Sequence, residues 1–231
     1  SGSVAIQKAT DSPSGDVIDN TSDAVLARYT VTAYGEPMKV ETLVIAATSS
    51  DSSVGSLRNG RIFIDGAQYG STATLSKCTN SACTTGGTSY TLNYTVQPGT
   101  PVTMEIRSDI YDNDGTNNLG AGDTLTAYVV AGSSNVQKMV SLGYVGVPAS
   151  SVAGNALNDV TGSMTLNKNN NYASQTTPLP QTNYKIGSFN LVGNSSEDVN
   201  VTSLDVSIVA SSTLLDYSEL TDVIAKVNGN V

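Results

Sequence analysis

The sequence predicts an all-β protein, an antiparallel β-sandwich, and three observations carry that prediction. Apolar residues alternate with polar ones along segment after segment, with almost no helical spacing. Turn residues divide these segments at short intervals, as at Asp65-Gly66, Gly86-Gly87, Pro98-Gly99 and Asn228-Gly229. The chain also repeats its own opening: S-G-S-V-A-I-Q-K from Ser1 returns as T-G-S-M-T-L-N-K from Thr161.

Taken in order, Val25, Ala27, Tyr29 and Val31 form one apolar strand face. Val40 and Leu43 are three residues apart, a spacing that strict alternation cannot bury on one side, so a β-bulge is expected between them. Ile62 and Ile64 make a short face, and Tyr90, Leu92, Tyr94 and Val96 a longer one. Val102, Met104 and Ile106 follow, then Leu125, Ala127 and Val129. Residues 146–163 are poor in charge and aromatics and read as a connection, and Pro178-Leu179-Pro180 forbids a central strand. Many short strands with one polar face each suit a sandwich of immunoglobulin-like character, although no tryptophan is present for the core of an antibody domain.

With Ser1 placed on Thr161, Val4 meets Met164, Ile6 meets Leu166, Lys8 meets Lys168, Tyr29 meets Phe189 and Val31 meets Leu191. One residue later in register, Val40, Leu43 and Ile45 meet Val201, Leu204 and Val206. Further on, Ile64-Asp65-Gly66 meets Val227-Asn228-Gly229. What recurs is the order of apolar positions and turns, the mark of duplication. The expected organisation is therefore a complete sandwich unit over 1–160 followed, over 161–231, by the N-terminal portion of a second, homologous unit. Such a portion would be completed by more of its own chain or by a neighbouring one.

The chain has 231 residues and a formal charge of −9, with 13% charged residues. An acidic surface repels phosphate backbones, which argues against nucleic-acid binding. No run reaches the roughly 18 apolar residues of a membrane span, and the N-terminus carries no signal-peptide pattern, so processing or a longer parent chain is expected. Cys78 and Cys83 flank a polar loop in a chain without histidine. Two further zinc ligands are lacking, so a small disulfide is expected, and with it an oxidising compartment.

The densest acidic stretch runs from Ser108 to Thr124. Asp109, Asp112, Asp114 and Asp123, with nearby asparagines and a carbonyl, have the oxygen chemistry of a calcium site, though not of an EF-hand. The plainer reading is a solvated loop whose Asp and Asn serve turn geometry. Catalysis has little support: without histidine no Ser-His-Asp triad can form. Of the five glutamates, Glu36, Glu41 and Glu105 read as solvent-facing. No enzyme is expected. Tyr34 and Tyr111, in expected loops, could act as sugar platforms, which keeps a carbohydrate-binding module of a secreted enzyme as the alternative.

The paired S-G-S-V and T-G-S-M openings, the recurring L-x6-[IV]-[DN]-G pattern and a Ser/Thr-rich, lysine-poor composition resemble repetitive bacterial cell-surface proteins. Those are adhesin-stalk, S-layer or fibre-forming chains of tandem immunoglobulin-like domains. The resemblance implies an extracellular structural or adhesive protein of a surface layer, stalk or filament. Its partners would be copies of itself, neighbouring domains or surface glycans. It transfers no catalytic residue.

Overall fold

The computed structural model describes residues 1–19, 21–52, 56–110, 119–193, 199–209 and 219–230. Among them there is no α-helix. The strands are β1 (Ser3–Lys8), β2 (Gly15–Ile18), β3 (Ala24–Tyr34), β4 (Met38–Ser49), β5 (Ser56–Ile64), β6 (Ala67–Ser76), β7 (Thr88–Val96), β8 (Val102–Ser108), β9 (Thr124–Val129), β10 (Val136–Lys138), β11 (Tyr144–Val145), β12 (Val152–Ala153), β13 (Leu157–Val160), β14 (Met164–Lys168) and β15 (Phe189–Gly193). The chain divides into two compact units, Ser1–Asp198 and Val199–Val231.

In the first unit one sheet has the order β1-β3-β8-β5-β6. A second runs β11-β10-β4-β9-β13-β2, with β7 also on β4 and β12 on β9. The inward faces of both sheets meet in one apolar core that includes Leu26, Tyr29, Ile45, Ile62, Met104 and Val129, the arrangement of a β-sandwich. Tyr29 ties the layers together, since its buried hydroxyl lies within hydrogen-bond reach of the Ala127 and Val152 carbonyls at 3.3 and 3.2 Å.

The expected faces hold at Ala27, Tyr29, Val31, Ile62, Ile64, Tyr90, Leu92, Val96, Val102, Met104, Ile106, Leu125, Ala127 and Val129, all of which are buried. Tyr94 is only partly buried against the core, and Val25 departs from its expected face. The β3–β8 register shifts between Val25 and Ala27, so Ala24 and Leu26 are buried and Val25 is turned partly out. The bulge expected between Val40 and Leu43 is present. Glu41 and Thr42 both donate their amides to the Asn135 carbonyl, at 3.0 and 3.4 Å, and the β4–β7 register shifts at the same place. Both Val40 and Leu43 thereby reach the core.

Two differences from the sequence reading concern the end of the sandwich. Residues 146–160 are not a connection, because they include β12 and β13, and Leu157 is buried. The alternation of β13 was hidden because its second inward residue is the buried Asp159. The sheets are also not antiparallel throughout: β13 is antiparallel to β9 but parallel to β2.

Candidate functional site

Thr161 to Gly193 is where the repeat meets the structure. β14 and β15 pair antiparallel with Met164↔Gly193, Leu166↔Leu191 and Lys168↔Phe189. In the sandwich, β1 and β3 pair Val4↔Ala33, Ile6↔Val31 and Lys8↔Tyr29. Adding 160 to each first-copy number yields the second-copy pair, so the two ladders share one register. Sequence similarity of this low degree does not require that, because a slip of one residue would turn every side chain over.

The surroundings of the two pairs differ. Ile6, Tyr29 and Val31 are 6, 0 and 4% exposed, whereas Leu166, Phe189 and Leu191 are 50, 62 and 37% exposed. In the sandwich the far edge of β3 is covered by β8. β15 pairs with β14 alone among the described strands. An apolar strand face and an edge of open backbone groups lie together here, the combination that invites pairing with another strand.

The second unit, taken by itself, carries one further trace of the repeat. Val227 and Asn230 exchange both backbone hydrogen bonds, at 2.8 and 3.0 Å, around Asn228 and Gly229 with φ of 49° and 87°. Ile64 and Ala67 close β5 and β6 around Asp65 and Gly66 with φ of 47° and 83°. These are the same two-residue hairpin turn, which needs positive φ at both central residues. Val201, Leu204 and Val206, counterparts of the buried Val40, Leu43 and Ile45, are exposed.

Two polar clusters brace the first unit. Glu36, expected to face solvent, is buried. Its carboxylate accepts the amides of Ser141, Val140 and Gly2 at 2.8, 2.9 and 2.8 Å, and the Ser141 hydroxyl at 2.9 Å. The Ser141 amide foremost, helped by the other donors and against the effect of burial, lowers its pKa to about 2. Gly2 is required here, since a Cβ on it would come within 2.3 Å of Glu36 Cγ. Sequence reading missed this cluster because its donors stand 34 to 105 residues from the acid.

The other cluster lies across β3, β8 and β5. Glu105 accepts Arg28 Nε at 2.7 Å and Arg107 Nη2 at 2.5 Å, Arg107 reaches Asp23 at 3.1 Å, and Arg61 bridges Asp23 and Asp109 at 3.1 and 3.6 Å. Burial alone would raise the Glu105 pKa, but hydrogen bonds and charge from the two arginines leave it lowered. Glu105 is therefore half-enclosed rather than solvent-facing. Lys8, an exposed residue, donates to Asn155 Oδ1 at 2.6 Å.

Of the residues assigned to calcium on sequence grounds, Asp109 accepts Asn59 Nδ2 at 2.5 Å and the Asp23 amide at 2.9 Å, beside Arg61. Asp123 accepts Ser50 Oγ at 2.9 Å and the Gly120 amide at 3.0 Å. Asp112 and Asp114 lie outside the described residues, as does Tyr111. No group of three metal-ligating side chains converges among the described residues. Tyr34 is exposed at the end of β3. Cys78 and Cys83 form the expected disulfide, with Cα atoms 5.0 Å apart, in a small apolar cluster with Ala46 and Val130.

Fold and surface together describe an all-β sandwich chain with one short-loop disulfide, followed by a strand pair that has the register of β1 and β3 and an exposed apolar side. No protein-family profile, no curated protein and no solved structure matches it. Among the described residues, no helix is long and apolar enough to cross a membrane.

Proposed function

We propose that this chain is an extracellular structural or adhesive protein, a tandem β-sandwich unit of a cell-surface layer, stalk or filament. The observation that carries the reading is the shared register of β1–β3 and β14–β15, with core positions of the first pair exposed in the second. A strand pair with that much uncovered apolar surface is a building block awaiting the rest of its sandwich. The missing half comes from more of the same plan, in its own chain or as a strand added by a neighbouring copy. The order β1-β3-β8-β5 facing β4-β9-β13 supports immunoglobulin-like character, since it matches the ABED and CFG sheets of that architecture. The Cys78–Cys83 bond supports an oxidising, extracellular setting.

Sedimentation over a wide concentration range, with electron microscopy of concentrated samples, tests the reading. Self-association is expected, and Leu166→Asp with Leu191→Asp should abolish it while the melting of the sandwich stays unchanged. A chain that remains monomeric at every concentration would remove the neighbour-completed form of the proposal. If appending a copy of residues 69–160 after Val231 also left β14 and β15 unprotected from hydrogen exchange, the tandem reading would fall. Calcium on the acidic segment belongs to the proposal on sequence grounds, and its test is the melting temperature with and without chelator.

A further inference from the structure

The parallel pairing of β2 with β13 joins the first strand of the large sheet to its last. Its register is Gly15↔Leu157, Asp16↔Asn158, Val17↔Asp159 and Ile18↔Val160, and the Asp19 amide extends it to the Val160 carbonyl at 3.0 Å. Tension carried along the chain past β1 enters β2 at its Gly15 end and leaves β13 at its Val160 end. Because the strands are parallel, those are opposite ends of one ladder. The pull then runs along the strands and loads the cross-strand bonds side by side, so they must fail together. An antiparallel hairpin pulled from its open end loses its bonds one at a time.

The strand that receives this load is itself anchored. β13 pairs with β9 through Leu157↔Leu125 and Asn158↔Thr124. The Asp159 amide donates to the Asp123 carbonyl at 2.7 Å, and the Gly122 amide to the Asp159 carbonyl at 2.9 Å. β9 in turn pairs with β4 from Ile45↔Val129 to Ser49↔Leu125. Leu157 is buried in the core and Val17 packs against it. Sliding β2 past β13 therefore drags apolar side chains out of the core as well as breaking the ladder.

We propose that the β2–β13 pair is a shear clamp that lets the Ser1–Val160 sandwich carry tension along the chain without unfolding. This goes beyond the surface-protein reading and rests on the sandwich alone, so it stands or falls independently of whether β14 and β15 mediate assembly. Resistance of this kind is a matter of unfolding rate under force, not of equilibrium stability.

Single-molecule stretching of the full chain tests it, with handles at Ser1 and at an introduced Ser163→Cys, both native cysteines being bonded to each other. The expected record is one rupture releasing about 50 nm of chain, from roughly 3.5 Å per residue. Moving the first handle to the exposed Ser14 (Ser14→Cys) takes β1 out of the path, and the rupture force should not change. Val17→Pro, which removes an amide from β2, should lower the force several-fold, whereas Tyr144→Pro in the edge strand β11 should not. A force that collapses when the handle moves to Ser14 would assign the load to β1–β3 and overturn the proposal. An unaltered force in a Val17→Pro chain with native melting would overturn it equally. If Val17→Pro does not fold, the handle comparison decides.

Discussion

Glu36 and Gly2 are joined by a 2.8 Å hydrogen bond from the Gly2 amide to Glu36 Oε1, and the same carboxylate holds Val140 and Ser141. One side chain thus ties the start of the chain to the turn that follows β10. The bond also explains the glycine, because the approach of Glu36 leaves no room for a side chain at position 2.

Acid should release this tie. The folded pKa of Glu36 is lowered to about 2 from an ordinary value of 4.5. Its contribution is therefore complete above pH 4.5 and lost as pH falls toward 2. Melting temperature measured across that window should drop for the wild-type chain. In Glu36→Gln, which is less stable at neutral pH because an amide nitrogen must face N–H donors, the same window should be flatter. Equal slopes for the two proteins would show that Glu36 does not carry the acid response.

Asn135 locks the β4 bulge. Its Nδ2 donates to the Thr42 and Val147 carbonyls at 2.9 and 2.7 Å, and its Oδ1 accepts the Val147 amide at 2.8 Å. Asn135→Ala leaves buried backbone groups without partners and should lower stability by about 2–4 kcal/mol. Denaturant titration reads this directly, and a loss below half a kcal/mol would mean that water or a shifted bulge replaces the side chain.

Tyr29→Phe removes a buried hydroxyl placed to bond across the two sheets, and should cost about 1–2 kcal/mol. Burial, with a smaller effect from Tyr128, raises the Tyr29 pKa above its ordinary 10.0. Its contribution is therefore full below pH 10 and lost as pH rises through the folded value. The variant should lose less stability on alkaline titration than the wild type, as followed by circular dichroism.

Reduction of Cys78–Cys83 opens a loop with a sequence separation of only 5. Loop entropy of that size corresponds to about 2 kcal/mol, or a fall in melting temperature of about 5 °C for a domain of this length. The core itself lies elsewhere, so the reduced chain should still melt in one transition. Collapse of the whole sandwich on reduction would contradict that.

The strand pattern was legible where the signal is local. Tyr90, Leu92 and Val96, or Val102, Met104 and Ile106, alternate with polar neighbours, and period two alone places them inside. The bulge at Val40 and Leu43 was legible for the same reason, as a local violation of that period. Val25 was not, because its displacement depends on the β3–β8 register. Nor was β13, where a buried Asp159 stands at a core position and breaks the apolar rhythm.

The amino-acid sequence by itself determined the β class, the turns at Asp65-Gly66 and Asn228-Gly229, the Cys78–Cys83 pairing and the repeat at Thr161. Each depends on residues close together in the chain or on comparison of one stretch with another. Tertiary structure alone decided the burial of Glu36, the lock at Asn135 and the parallel seating of β2 beside β13. Those rest on donors and strands brought together from about a hundred residues away. Backbone hydrogen bonds and close packing select such partners only once the chain has folded, and no local spacing encodes them.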